Sequence, residues 1–322
     1  MRVFVTGASG AIGSYLIPQL VERGHVVTGT AHSTKGAERI RANGGDAVVL
    51  DVLDAKAVRR AVLNAQPEAI IHEATALSGI KFTRNMDKVF AQTNRLRIEG
   101  TDNVLAAARE AGVSRIVVQS FASLRYERSG GPIKTENDPL EPNVAPSMSQ
   151  SEAAMRHLEA VVVEAGGIVL RYGGFYGDAS DAMPDPLRKR QFPVIGDGSG
   201  ITSFVHLYDA ATATVLAVEQ GGTGIYNIVD DDPAPMREWL PELAKVLGAP
   251  PPRHAPKWLA RLLAGDLAII MGTEARGVSN AKAKRELGWT LKYPSWRQGF
   301  VATYAPSAQN EDHGLRTIRP AA

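Results

Sequence analysis

The sequence predicts a doubly wound α/β fold, in which helices cover both faces of a parallel β-sheet, and three observations carry this prediction. The chain begins with a β-branched, apolar run at residues 1–6, which is typical of a buried strand. A glycine-rich turn follows at residues 7–13, and residues 14–24 then repeat apolar side chains at helical spacing until Gly24. The alternation continues through residue 120, and five successive βα units predict parallel strands joined by right-handed crossovers.

The glycine turn has the form of a phosphate cradle. Gly7 permits the sharp turn, Gly10 lets a pyrophosphate approach the backbone, and Gly13 lets helix and strand pack closely. The unpaired N–H groups and the positive dipole end of the helix then face the anion. We therefore expect a dinucleotide to contact Gly7, Ser9, Gly10, Ala11, Ile12 and Gly13.

Composition narrows the function classes. The 322 residues are 44% apolar and 22% charged, which suits one large α/β domain with a smaller companion. A net charge of +2 argues against nucleic acid or an anionic membrane as the main partner. Disulfides and thiolate metal sites are excluded because the chain has no cysteine, and no metal is expected. The apolar stretch at residues 259–271 is short and contains two charges, so we expect a cytoplasmic protein with no membrane span.

The segment Thr6-Gly-Ala-Ser-Gly-Ala-Ile-Gly13 resembles the short-chain dehydrogenase/reductase superfamily, in its extended epimerase/dehydratase branch. The resemblance extends over residues 1–300. It implies a Rossmann-type NADP-binding domain at residues 1–177, to which residues 201–229 return. Residues 178–200 and 230–305 would form a smaller substrate-binding region, and residues 306–322 a tail. The resemblance also implies a small-molecule substrate and allows a homodimer.

The end of the second strand bears on the choice of cofactor. An acidic residue here would bind the adenosine ribose hydroxyls and favour NAD(H). Residues 30–35 contain no carboxylate, and three side chains could donate hydrogen bonds to a 2′-phosphate, so NADP(H) is favoured over NAD(H). Those three residues are His32, Ser33 and Lys35. Further cofactor contacts are expected from Asp51, Val52, Ala74, Thr75, Ala76 and Gln119, with Asp51 assigned to the adenine by the resemblance.

The catalytic position departs from the family pattern. Ser120 ends the fifth strand, where the family serine hydrogen-bonds a substrate carbonyl or hydroxyl. A Tyr-x-x-x-Lys pair normally follows, with the tyrosine exchanging a proton and the lysine lowering its pKa. Here Met148 stands at the tyrosine position and Glu152 at the lysine position. A thioether cannot transfer a proton, and no Tyr-x-x-x-Lys occurs anywhere in the chain.

Three interpretations of the missing pair remain open. Tyr126 could supply the proton from a loop, although an ordinary half-buried tyrosine is the simpler interpretation. The acceptor could need little proton help, as an iminium or a conjugated acceptor would. The protein could also bind NADP(H) without turnover and act as a regulator.

The substrate side is predicted from the later segments. Tyr172 replaces a family proline, and Phe175 and Met148 are expected beside it. His206 lies in Phe204-Val-His206-Leu-Tyr-Asp209, where a structural hydrogen bond is an equal alternative to substrate binding. Residues 258–271 suggest a helix or lid and an apolar or aromatic substrate. The sequence thus predicts an atypical NADP-dependent oxidoreductase, with a sugar-nucleotide-type epimerase or dehydratase and a non-catalytic regulator as alternatives.

Overall fold

The computed structural model describes residues 1–77, 83–177 and 184–305. Strands and helices alternate from the N-terminus, as the sequence predicts. The strands are β1 (Arg2–Thr6), β2 (Val26–Ala31), β3 (Asp46–Val49), β4 (Ala69–His72), β5 (Arg115–Phe121), β6 (Ile133–Lys134), β7 (Ile168–Tyr172), β8 (Gly174–Tyr176), β9 (Val194–Ile195), β10 (Ile201–Thr202), β11 (Phe204–His206), β12 (Gly224–Ile228), β13 (Ala234–Pro235), β14 (His254–Ala255) and β15 (Gly277–Val278).

Helices follow most of the longer strands. They are α1 (Gly13–Glu22), α2 (Thr34–Ala42), α3 (Ala55–Ala65), α4 (Met86–Arg95), α5 (Thr101–Glu110), α6 (Ser149–Glu164), α7 (Pro184–Arg188), α8 (Leu207–Gln220), α9 (Met236–Val246), α10 (Lys257–Ala264), α11 (Asp266–Ile269), α12 (Ala281–Leu287) and α13 (Trp296–Tyr304). Two π-helical turns, Leu96–Gly100 and Ile270–Glu274, and a 3-10 turn, Pro146–Met148, complete the helical segments.

The central sheet confirms the doubly wound prediction. Its seven strands are all parallel, in the order β12–β7–β5–β4–β1–β2–β3. The strand order reverses between β1 and β4, and a crevice opens beyond the carboxyl ends of strands at such a point. The glycine turn after β1 and the segment after β4 therefore border one crevice.

Apolar side chains alternate between the two faces of this sheet. On one face Val5 packs with Leu16 of α1 and Val215 of α8. On the other, Ile70 packs with α5 and α6 through Val104 and Leu158. Because both faces are covered by helices, the carboxyl edge of the sheet is left for ligand binding.

A separate apolar cluster lies in the C-terminal part of the chain. Tyr176, Phe204, Trp239, Trp296 and Phe300 are buried together. Short strand pairs connect the surrounding segments, with β8 on β11, β9 on β14 and β10 on β13. The predicted tail at residues 306–322 lies outside the described residues.

The segment 258–271, expected as a helix or lid, is not one continuous helix. Gly265 has a φ of +81° and separates α10 from α11. Trp258 and Leu263 of α10 are 68% and 69% exposed, whereas Leu267 and Ile270 are buried. Among the helices of the described ranges, none has the length and hydropathy needed to cross a bilayer.

Candidate active site

The glycine turn forms a cradle at the start of α1. Gly7 has a φ of +72°, and a Cβ there would lie 2.6 Å from the Ala74 amide nitrogen, so the turn packs directly on the segment after β4. A Cβ on Gly13 would lie 2.0 Å from the Ala8 carbonyl oxygen, which explains the close packing of helix and strand. Gly10 is exposed, and a Cβ there would meet only the Gly7 carbonyl oxygen, at 3.2 Å, and would otherwise fill the open approach.

Within the described ranges, no side chain caps the N-terminus of α1. Ile12 is the N-cap residue, and its side chain cannot accept from the first amides. Ala11 and Gly10 are exposed beside these amides. An uncapped helix start behind an open glycine turn fits the pyrophosphate of a dinucleotide.

The end of β2 borders the same cradle. His32, Ser33 and Lys35 are exposed, and the Oγ of Ser33 accepts from the Gly36 amide at 3.2 Å as the N-cap of α2. Ser9 reaches this helix, because a Cβ on Gly36 would lie 3.0 Å from the Ser9 Oγ. The three polar side chains thus surround the start of α2 beside the glycine turn.

The other expected cofactor residues lie along the same edge. Asp51 is exposed and accepts from the Leu53 amide at 2.9 Å, and Val52 is buried. Ala74 and Thr75 are half-buried and Ala76 is exposed. The Nε2 of Gln119 donates to the Glu73 carbonyl oxygen at 2.8 Å, so this amide joins β5 to the segment after β4.

Met148 lies at the start of α6 and in the wall of a cleft. One helical turn later, the buried Glu152 accepts from the Arg125 Nε at 2.8 Å and from the Arg156 Nε at 2.8 Å. The carboxylate that replaces the family lysine is therefore neutralised by arginines. Asn94 braces the same helix by donating to the Ser151 Oγ at 3.1 Å.

The structure corrects the role expected for Ser120. Its hydroxyl is buried and donates to the Glu159 Oε1 at 2.6 Å, so it is already bonded within the protein. Glu159 also accepts from Arg125 and, at 2.6 Å, from the Arg171 Nη2. Burial opposes ionisation of Glu159, but the hydrogen bonds and charges of Arg171 and Arg125 outweigh it and lower its pKa to about 2. Ser120 is part of a buried ion network.

Tyr126 belongs to the same network, which argues against its role as the acid. The ring is 3% exposed, and its hydroxyl donates to the Asn227 Oδ1 and accepts from the Arg171 Nη1, both at 2.9 Å. Burial raises its pKa further above the usual value. A buried phenol with both partners satisfied cannot reach a substrate in the cleft.

Tyr172 is also corrected, because it faces the core on the α1 and α8 side of the sheet. It is 1% exposed, and its hydroxyl donates to the Glu73 Oε1 at 2.9 Å and contacts the Thr214 Oγ1 at 2.6 Å. No sequence motif marks Glu73, which directly follows β4. Burial raises the pKa of its carboxyl to about 8.

His206 and Phe175 both make ring contacts within the protein. The Nδ1 of His206 accepts from the Tyr208 amide at 3.0 Å and caps α8, and its ring stacks on Tyr293 with 4.1 Å between centroids. Burial lowers the pKa of His206 to about 4, so it is neutral at physiological pH. Phe175 packs on Tyr172 with 5.1 Å between centroids. The geometry thus favours a structural hydrogen bond for His206 over substrate binding.

The cleft beside Met148 contains residues that sequence reasoning missed. Ser123 and Leu124 follow β5, and the Arg128 and Glu141 side chains lie at 3.5 Å from one another. These positions belong to a loop without periodicity, so no pattern marked them. The apolar part of the wall is formed by Phe121, Leu124, Val144, Ala145, Met148, Met155, Leu267 and Ile270.

The parallel sheet and the open glycine cradle at its carboxyl edge are the features of a dinucleotide-dependent oxidoreductase. The chain belongs to the NAD dependent epimerase/dehydratase family, whose model matches residues 3–229. The resemblance and the Rossmann-type fold expected from the sequence are confirmed.

Individual relatives support an NAD(P)-dependent enzyme. The 3-diazoavenalumate denitrifying reductase of a Streptomyces species is 41% identical over 309 residues, covering 93% of this chain and 99% of the relative. The 2-alkyl-3-oxoalkanoate reductase of Stenotrophomonas maltophilia is 29% identical over 340 residues, covering 99% of this chain and 98% of the relative. Among solved structures, the UDP-glucose 4-epimerase of Thermus thermophilus in complex with NAD has a TM-score of 0.73 at 24% identity, covering 94% of this chain and 98% of that one. The UDP-glucose 4-epimerase of Thermotoga maritima has a TM-score of 0.77 at 21% identity, covering 97% of this chain and 100% of that one.

Proposed function

We propose that this protein is an NADPH-dependent reductase that passes hydride to an aryl diazo compound, which then loses dinitrogen. The observation that carries the proposal is Met148, a residue without an acidic proton at the position of the family's proton donor. Tyr126 and Ser120, the other candidate donors, are held in the buried network by Arg171 and Glu159. Such a site suits an acceptor that needs no proton from the protein.

An aryl diazonium ion is an acceptor of this kind. Bound NADPH would supply the hydride. The two electrons of that hydride form the new aryl–hydrogen bond, the aryl–nitrogen bond breaks, and dinitrogen leaves. The positive charge of the substrate is cancelled, the cofactor is oxidised, and no proton enters or leaves. The relative that is 41% identical is named as a denitrifying reductase of a diazo compound, which supports the same chemistry here.

The chain's own residues have distinct tasks in this proposal. The turn at residues 7–13 would hold the pyrophosphate, and the residues around the start of α2 would hold the 2′-phosphate, because no carboxylate lies at residues 30–35 to repel it. Asp51 and Val52 would contact the adenine, and the segment at residues 74–76 would lie along the ribose and nicotinamide. Met148 and the apolar wall would exclude water and keep the ring of the substrate beside the transferable hydride.

The proposal is tested by following deuterium from the cofactor into the arene product. The purified protein is incubated with an aryl diazonium salt and NADPH deuterated at the transferable position, and the arene product is analysed by mass spectrometry. We expect one deuterium on the ring carbon that carried nitrogen, at a rate well above that without protein. A Gly10→Val variant, which fills the cradle, is the matched control and should return the rate to background. Oxidation of NADPH by ketones but not by the diazonium salt would overturn the proposal in favour of carbonyl reduction.

A further inference from the structure

A buried hydroxyl in the cleft wall has no partner within the described part of the chain. Ser123 is 9% exposed, and its Oγ makes no hydrogen bond there. Buried hydroxyls are normally satisfied, because an unpaired one loses its bonds to water without replacement. Since Ser123 lines the cleft, a ligand in the cleft is the natural source of the missing bond.

The charged side chains of the wall already form ion pairs, with one another or with neighbouring carboxylates. Arg125 is paired with Glu152 and with Glu159. Arg128 donates to Glu274 at 3.1 Å and lies 3.5 Å from Glu141. The rest of the wall is apolar. Among the described residues of this wall, Ser123 is therefore the polar side chain left without a hydrogen bond.

The backbone around Ser123 is held in an unusual conformation. Leu124 has a φ of +69°, a left-handed conformation that a large aliphatic side chain rarely adopts. The next residue is fixed on both sides, by the ion pairs of Arg125 and by a 2.7 Å hydrogen bond from the Glu141 amide to the Arg125 carbonyl oxygen. Strain that is maintained by its surroundings is common at ligand sites, where it fixes the direction of a side chain.

We propose that Ser123 selects hydroxyaryl substrates by hydrogen-bonding a hydroxyl group on the ring. The wall around Ser123 is mostly apolar, and the thioethers of Met148 and Met155 would make favourable contacts with the edge of an aromatic ring. A carboxylate at this point would need an uncommitted cation, whereas a neutral hydroxyl can both donate to and accept from a serine. The inference rests on the proposed function, since it names the substrate class of the same cleft.

Binding of unreactive analogues tests this inference separately from catalysis. The protein saturated with NADP⁺ is titrated by calorimetry with 4-hydroxycinnamate and with cinnamate, which differ by one hydroxyl and contain no diazo group. We expect the wild type to bind the hydroxylated analogue about tenfold more tightly, and Ser123→Ala to bind both equally. Ser123→Thr, which keeps a hydroxyl, should retain a preference. Ser129→Ala, in the same loop but outside the cleft wall, should behave as the wild type.

Two results would overturn the inference. One is equal affinity of the wild type for the two analogues, including failure to bind either. The other is an unchanged preference in Ser123→Ala. If Ser123→Ala does not fold, the titrations of the wild type and Ser123→Thr still show whether the hydroxylated analogue is preferred. Removal of dinitrogen from a diazonium salt is measured independently, so failure of the proposed function would be seen there and not in these titrations.

Discussion

The hydroxyl of Ser120 donates a 2.6 Å hydrogen bond to the Oε1 of Glu159, which lies 39 residues later on α6. A serine that the family pattern assigns to the substrate is thus used inside the protein. The same carboxylate binds Arg125 and Arg171, so the hydroxyl is one of several donors that satisfy a buried charge.

Ser120→Ala should therefore alter stability more than catalysis. We expect kcat/KM with NADPH to stay within about threefold of the wild type, because the hydroxyl is already bonded to Glu159. The free energy of unfolding should fall by about 1 kcal/mol, the usual effect of losing one hydrogen bond. Steady-state kinetics and urea unfolding measure the two quantities. A hundredfold loss of kcat/KM in a stable variant would restore the catalytic role.

Glu159→Gln should be strongly destabilising. The amide leaves two buried arginines without their shared counter-charge, and breaking a buried pair in this way costs about 3–5 kcal/mol. Glu110→Gln, which breaks the surface pair with Arg59, is the matched control and should leave the unfolding midpoint unchanged. Equal effects of the two substitutions would show that the network contributes no more than a surface pair.

Glu73 should make the fold less stable in alkali. Its pKa is raised from 4.5 to about 8 by burial, so between these values the unfolded chain has released a proton that the folded chain still holds. The stabilisation is complete below pH 4.5 and is lost as the pH rises through 8, at up to about 1.4 kcal/mol per pH unit. Urea unfolding between about pH 6.5 and 9 measures this slope.

Glu73→Gln should flatten the slope, because an amide keeps the acceptor for Tyr172 and does not titrate. A residual slope of the same sign is expected from Asp230, whose pKa burial raises to about 8. His72, whose pKa burial lowers from 6.5 to about 4, has little effect on the slope above pH 6.5. An unchanged slope in Glu73→Gln would mean that this carboxyl is already ionised at neutral pH.

Much of the fold, and less of the site, follows from the sequence. The glycine turn and the βα alternation have local signatures, so the sheet and its cradle could be predicted. The absence of the Tyr-x-x-x-Lys pair could also be seen in the sequence. The partners of Ser120, Tyr126 and Tyr172 could not, because Glu159, Asn227 and Glu73 are distant in sequence, and only the assembled sheet shows which face each side chain occupies.

Lys35 should control the choice between NADPH and NADH. It is exposed on the first turn of α2, where the proposal places the 2′-phosphate. We expect Lys35→Ala to raise the Kd for NADPH about tenfold, as the loss of one hydrogen bond to a charged group would, and to leave the Kd for NADH unchanged. Lys245→Ala, on the exposed side of α9, is the control. Titration by cofactor fluorescence gives both constants, and parallel changes for the two nucleotides would contradict the assignment.

Met148→Leu should leave turnover within about threefold of the wild type, since a similar volume is kept and no proton is lost. The solvent deuterium isotope effect on kcat should be close to one for both proteins, because no proton is transferred in the proposed reaction. A large solvent effect in the wild type would indicate a proton donor that the proposal does not contain.

The pairing of Glu152 with Arg125 and Arg156 also bears on the missing family lysine. A lysine restored at residue 152 would place an ammonium group beside two guanidinium groups, one of them fully enclosed. A tyrosine restored at residue 148 would gain nothing until that lysine was tolerated. Installing the family's usual lysine would therefore also require replacing an arginine that binds Glu152. The ion pairs of Glu152 thus link the absence of the family lysine to the stability of the fold.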